Sequence, residues 1–122
     1  MAGHILLAED DKALSALMQD FFRAAGVAVT PAYDGEQALV LAQEQPFDLL
    51  VLDEACAACK NDLVEEALLR EAAARAEQGA EVVLTGREPA VWMQDAADYS
   101  TELRAVKHPY TRGIAAREGV EY

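Results

Sequence analysis

Short apolar runs, too brief to be helices, alternate along this chain with longer stretches whose apolar residues recur at helical spacing, and this alternation restricts the possible folds most. Residues 4–8, His-Ile-Leu-Leu-Ala, stop abruptly at Glu9-Asp10-Asp11, as a buried strand does when it ends in a polar loop. From Lys12 onward, Leu14, Leu17, Met18, Phe21, Phe22 and Ala25 follow the spacing of one helix face, and Gly26 is the expected stop. Residues 27–33 read as a second strand, Asp34-Gly35 as a turn, and residues 36–44 as a helix that ends before Pro46. Phe47 to Asp53 is the most apolar strand candidate.

Residues 54–61 read as irregular, and the Ala, Leu, Glu and Arg of residues 62–78 predict a helix closed by Gly79. Residues 81–85 return to strand, and a short or irregular helix is expected around 89–98. Residues 103–107 are the candidate fifth strand, and residues 111–117 a short terminal helix. Strands alternating with helices at this spacing imply right-handed crossovers and a parallel sheet covered on both faces. The expected class is therefore α/β, a doubly wound five-stranded parallel sheet, folded as one domain over residues 1–122.

Charge narrows the partners. Ten Lys and Arg face 22 Asp and Glu, a net charge of −12 that repels nucleic-acid phosphates and anionic lipid heads. No run approaches the roughly 20 apolar residues of a membrane span, and the start lacks a basic signal region, so a cytoplasmic chain that binds neither nucleic acid nor membrane is expected. Cys56 and Cys59 have the CxxC spacing of redox and metal motifs. With no second pair to complete a zinc site, they are read as small loop residues.

In open parallel sheets, ligands bind beyond the carboxyl ends of the strands. Glu9 and Asp10 leave the first strand there, Asp53 leaves the third and Thr85 the fourth. Three clustered carboxylates repel one another unless a divalent cation joins them, and oxygen ligands with room for water suit Mg²⁺. Glu9, Asp10 and Asp53 are thus the candidate metal site.

The stretches Ile-Leu-Leu-Ala-Glu9-Asp10-Asp11, Phe-Asp-Leu-Leu-Val-Leu-Asp53, Val-Val-Leu-Thr85-Gly86 and Lys107-His108-Pro109-Tyr110 together resemble the receiver domains of two-component response regulators, over nearly the whole chain. The resemblance implies a flavodoxin-like receiver fold. It makes Asp53 the phosphoacceptor, gives Glu9, Asp10 and the backbone carbonyl of Ala55 to Mg²⁺, and sets Thr85 to hydrogen-bond the phosphoryl oxygen. A histidine kinase or phosphotransfer protein would then be the donor, and an effector protein in trans would read the state. Such a chain is a signalling phosphoacceptor rather than an enzyme, apart from catalysing its own phosphorylation and dephosphorylation.

The pattern breaks in three places, one being the switch aromatic usually two residues before the Lys, where Arg104 or Ala105 stands. Receivers carry a Lys immediately before a Pro at the end of the fifth strand, whereas here His108 precedes Pro109 and Lys107 lies one residue earlier. Lys107 reaches the site only through a one-residue bulge, yet its permanent charge favours it over His108 as partner of a phosphoryl group. The loop after Asp53, Glu54-Ala-Cys-Ala-Ala-Cys-Lys-Asn61, is also unlike that of receivers. The alternative reading is a pseudo-receiver that never accepts phosphate and acts as a protein-interaction module.

Overall fold

In a computed structural model of the chain, which describes residues 3–61, 63–104, 106, 107, 113 and 115, the apolar runs of the sequence become parallel strands. These are β1 (His4–Ala8), β2 (Ala28–Ala32), β3 (Leu49–Leu52) and β4 (Glu81–Leu84), in the spatial order β2-β1-β3-β4. Every neighbouring pair is parallel. The order reverses direction between β1 and β3, which gives the doubly wound flavodoxin-like α/β architecture and fixes the ligand edge at the carboxyl ends. Pro31 sits inside β2 without breaking the sheet because β2 is an edge strand.

Register brings the strand ends level. Ala8 pairs with Leu52, and Leu52 with Leu84. The ladder then runs one residue further, since the Asp53 N–H donates to the Ala8 carbonyl at 3.1 Å and the Thr85 N–H to the Leu52 carbonyl at 3.3 Å. Residues 44 and 32 positions apart are thereby held at one rim by backbone hydrogen bonds alone.

The helices are α1 (Lys12–Ala24), α2 (Gly35–Glu44), α3 (Ala55–Lys60), α4 (Glu66–Ala73) and α5 (Val91–Ala96), with α4 running on into a 3-10 turn at Ala74–Gln78. The side chains of Asp11 and Asp34 cap α1 and α2 by accepting from the Leu14 and Gln37 N–H groups. Gly79, at φ 97°, closes the 3-10 turn in the left-handed region that glycine enters without penalty.

Side chains on alternate strand positions feed two separate cores. Leu6, Ala8, Leu50 and Leu52 join Leu39, Ala42, Leu69, Ala72 and Met93 on the face covered by α2, α3, α4 and α5. Ile5, Leu7 and Val29 face the other way, against Met18 and Phe22 of α1.

Several expectations are corrected here. The inward side of α1 carries Ser15 and Gln19, both buried, beside Met18 and Phe22, whereas Leu14, Leu17 and Phe21 are exposed. The buried polar pair is tolerated because the Gln19 Nε2 donates to the Ser15 Oγ at 3.0 Å. Residues 54–61, expected to be irregular, contain α3. Of the expected fifth strand, Leu103, Arg104, Val106 and Lys107 are exposed and belong to no strand, and Ala105 lies outside the described residues. The expected terminal helix lies outside them as well, apart from two isolated positions.

Candidate functional site

The carboxyl rim is built by three strand ends. Asp53 leaves β3, and its Oδ1 accepts a 2.7 Å hydrogen bond from the hydroxyl of Thr85, which leaves β4. The Thr85 Oγ1 in turn accepts from the Glu54 N–H at 3.0 Å. The hydroxyl is thus used as donor and acceptor at once, which fixes its rotamer and aims the Asp53 carboxylate. Glu54 makes the turn from β3 into α3 with φ 55°, a left-handed conformation uncommon for a residue with a side chain. Such strain persists where the surroundings over-determine it, and here the Thr85 hydroxyl and the adjoining helix do so.

Glu9 completes the cluster from β1. It is only 7% exposed, and the Asp11 N–H donates to its Oε1 at 3.1 Å. Burial, followed by a hydrogen bond with Asp53, pushes its pKa up to about 7. Near neutral pH the Glu9 carboxyl can therefore hold a proton and donate it to Asp53. Asp10 is exposed, and its charge adds to the upward push on Glu9.

A small apolar crevice of about 40 Å³ lies beneath the rim, lined by Gly35, Leu39, Leu52, Asp53, Val64 and Leu69. That volume has room for a water molecule and not for a nucleobase. At this end of the molecule, a larger ligand would lie across the top of the rim, where Asp53 is exposed.

The structure thus brings Glu9, Asp53 and Thr85 together, with Asp10 beside them and Ala55 buried at the start of α3. Lys107 is exposed and makes no ion pair with Asp53. His108 lies outside the described residues. Among the described residues, no group of three His, Cys, Asp or Glu side chains is placed to hold a metal ion. Sequence reading missed two groups at this end of the molecule, Glu54 and the ion pair between Lys60 and Glu88, which lowers the Glu88 pKa. The signal for Glu54 was faint, since nothing in Asp-Glu-Ala marks a left-handed residue where glycine or asparagine would.

The sequence model of the family described as ATP:corrinoid adenosyltransferase BtuR/CobO/CobP matches residues 28–122. The chain belongs to that family. A corrinoid adenosyltransferase of a Sinorhizobium species is 33% identical over 88 residues, which are 71% of this chain and 41% of the relative. One from Pseudomonas aeruginosa is 41% identical over 75 residues, 61% of this chain and 36% of the relative. The chain spans about two fifths of the length of these relatives. Solved structures of similar shape include receivers. One from Methanospirillum hungatei superposes with a TM-score of 0.57 at 16% identity, covering 79% of this chain and 73% of its own. A Francisella receiver gives 0.54 at 20% identity, covering 79% of each chain. At such identities the likeness concerns the fold alone.

Family membership overturns the functional side of the receiver reading. Neither the phosphorelay switch nor the pseudo-receiver stands, and with them go the histidine kinase or phosphotransfer donor and the effector in trans. The expectation of a non-enzyme is likewise corrected, because the family is one of enzymes acting on ATP and a corrinoid. Mg²⁺ as the cofactor of phosphotransfer to Asp53 falls with that reaction. The physical reason is that the quoted resemblance rested on polar residues at strand ends, which every open parallel sheet uses for its ligand edge, whatever the reaction. No helix of the described residues is long and apolar enough to cross a membrane.

Proposed function

We propose that this chain serves the transfer of an adenosyl group from ATP to a corrinoid, and that its carboxyl rim is the edge that meets the corrinoid. The observation that carries the reading is the family match over residues 28–122, a stretch that includes both members of the Asp53–Thr85 hydrogen bond. Transfer of an adenosyl group requires two binding surfaces of opposite character, one for an anionic polyphosphate and one for a large ring edged with amides. The rim suits the second. Glu9, Asp10, Asp11, Asp53 and Glu54 crowd the ends of β1 and β3, and the loop after β1 is acidic rather than glycine-rich and basic, so a triphosphate there is repelled. Carboxylates and a hydroxyl on a surface open to solvent accept hydrogen bonds from amide N–H groups instead.

In this reading Asp53 is the acceptor that contacts the corrinoid, Thr85 orients it, and Glu9 sets the charge of the pair by keeping or losing its proton. A cytoplasmic location accords with two unpaired cysteines in so small a chain. The test is an absorbance titration of the chain with a corrinoid. Saturable binding that Asp53→Asn weakens about tenfold, roughly the loss of one hydrogen bond to a charged group, supports the assignment. Binding unchanged in Asp53→Asn removes Asp53 from the contact, and no binding to the folded chain removes the rim.

A further inference from the structure

Beside the rim, and outside the Glu9–Asp53–Thr85 cluster, two sulfur atoms meet and a third stands one helical turn away. Cys56 and Cys59 stand one helical turn apart on α3, so their side chains project from the same face. Cys56 is buried, and its Sγ lies 3.8 Å from the Sδ of Met93 on α5. Cys59 is half-buried and packs against the same apolar cluster that holds Cys56 and Met93. Both cysteines are free thiols. Gly86, the residue after Thr85, makes room for this arrangement, since a Cβ there would stand 2.7 Å from the Cys56 Cβ.

A single thiol against a thioether is ordinary core packing. A second thiol at one-turn spacing on the same face, nearer the solvent, is what that packing leaves unexplained. We propose that Cys56, Cys59 and Met93 form a binding site for a soft monovalent cation, Cu(I), held by two thiolates and one thioether. Thiolate and thioether donors select soft ions. Zinc is poorly served, because it takes four N, S or O ligands, and among the described residues no third His, Cys, Asp or Glu joins the two cysteines.

One edge of a three-coordinate site is already formed, and Cys59 turns its side chain to supply the third sulfur. Metal–sulfur bonds of about 2.3 Å arranged in a trigonal plane place neighbouring sulfurs about 4 Å apart, and Cys56 and Met93 already stand at 3.8 Å. Binding releases the proton of each thiol to solvent and leaves the copper as Cu(I), so no oxidant or reductant is consumed. Entry is from the Cys59 side. α3 is a short helix without a side-chain cap, so local opening there is inexpensive.

An anaerobic titration tests the site, with the reduced full chain competing for Cu(I) against a chromophoric Cu(I) chelator. The expected result is one Cu(I) per chain, with three sulfur neighbours at about 2.3 Å in X-ray absorption. Cys59→Ser should abolish it. Met93→Leu keeps the apolar volume and should weaken it by at least the roughly tenfold that even a residue supporting a metal ligand is worth. Circular dichroism of both variants checks that the fold is retained. The proposal is overturned if the folded chain withdraws no Cu(I), if either variant binds as tightly as the parent, or if mild oxidation joins the two thiols in a chain that takes up no copper.

Discussion

The two faces of the sheet are built to different standards. On the side of α2, α3, α4 and α5, Leu6, Leu50 and Leu52 are almost wholly enclosed and continuous with buried residues from all four helices. On the other side, among the described residues, α1 alone covers Ile5, Leu7 and Val29, its inward side includes a Ser and a Gln, and the larger apolar residues Leu17 and Phe21 are 68% and 72% exposed. Apolar content does not by itself say which side of a helix is buried. The helix turns to satisfy the sheet residues beneath it, and small or hydrogen-bonded polar groups fit the shallow space over β1 and β2 where a Leu would not.

The largest effect should come from the packed face. Leu50→Ala, at a residue only 1% exposed, is expected to cost about 3–5 kcal/mol, because the surrounding helices cannot collapse into the cavity. Urea unfolding measures it. A loss under about 1 kcal/mol would mean that this face is as loosely filled as the other.

Next in size is the buried carboxyl at the rim. Because the Glu9 pKa is raised in the folded state, from 4.5 to about 7, folding is most favoured below the unfolded value, where both states are protonated. Stability then falls as pH rises through that window, since the unfolded chain ionises first. The whole change is roughly 3 kcal/mol, at about 1.4 kcal/mol per pKa unit. Glu9→Gln should flatten this part of the profile between pH 4.5 and 7. An equally steep fall in Glu9→Gln would place the titrating group elsewhere.

The smallest effect belongs to the thin face. Leu17→Ser removes a side chain that is largely in water and should change stability by less than about 0.5 kcal/mol. A cost above 1.5 kcal/mol would show that the exposed row of α1 is covered in solution.

These contrasts explain how much could be read from the residues. The four observed strands, their parallel order and the placement of Glu9, Asp53 and Thr85 at one rim follow from apolar runs that end in polar residues, because backbone pairing leaves such runs few alternatives. α3 was not legible, because Glu54 enters it through a left-handed turn that no glycine marks. The inward side of α1 was misjudged because Leu14, Leu17 and Phe21 keep helical spacing as faithfully as core residues do. Function was misread for a related reason. A few acids and a Thr at strand ends are common to many parallel sheets, whereas the family match extends over residues 28–122.

Adenosyl transfer itself is the decisive measurement. The full chain is mixed with ATP and a reduced corrinoid, and the adenosylated corrinoid is followed by absorbance and chromatography. Product formed in proportion to the chain, and reduced in Asp53→Asn, is the expected result. A folded chain that binds no corrinoid and forms no product would contradict the assignment of this rim to corrinoid adenosylation.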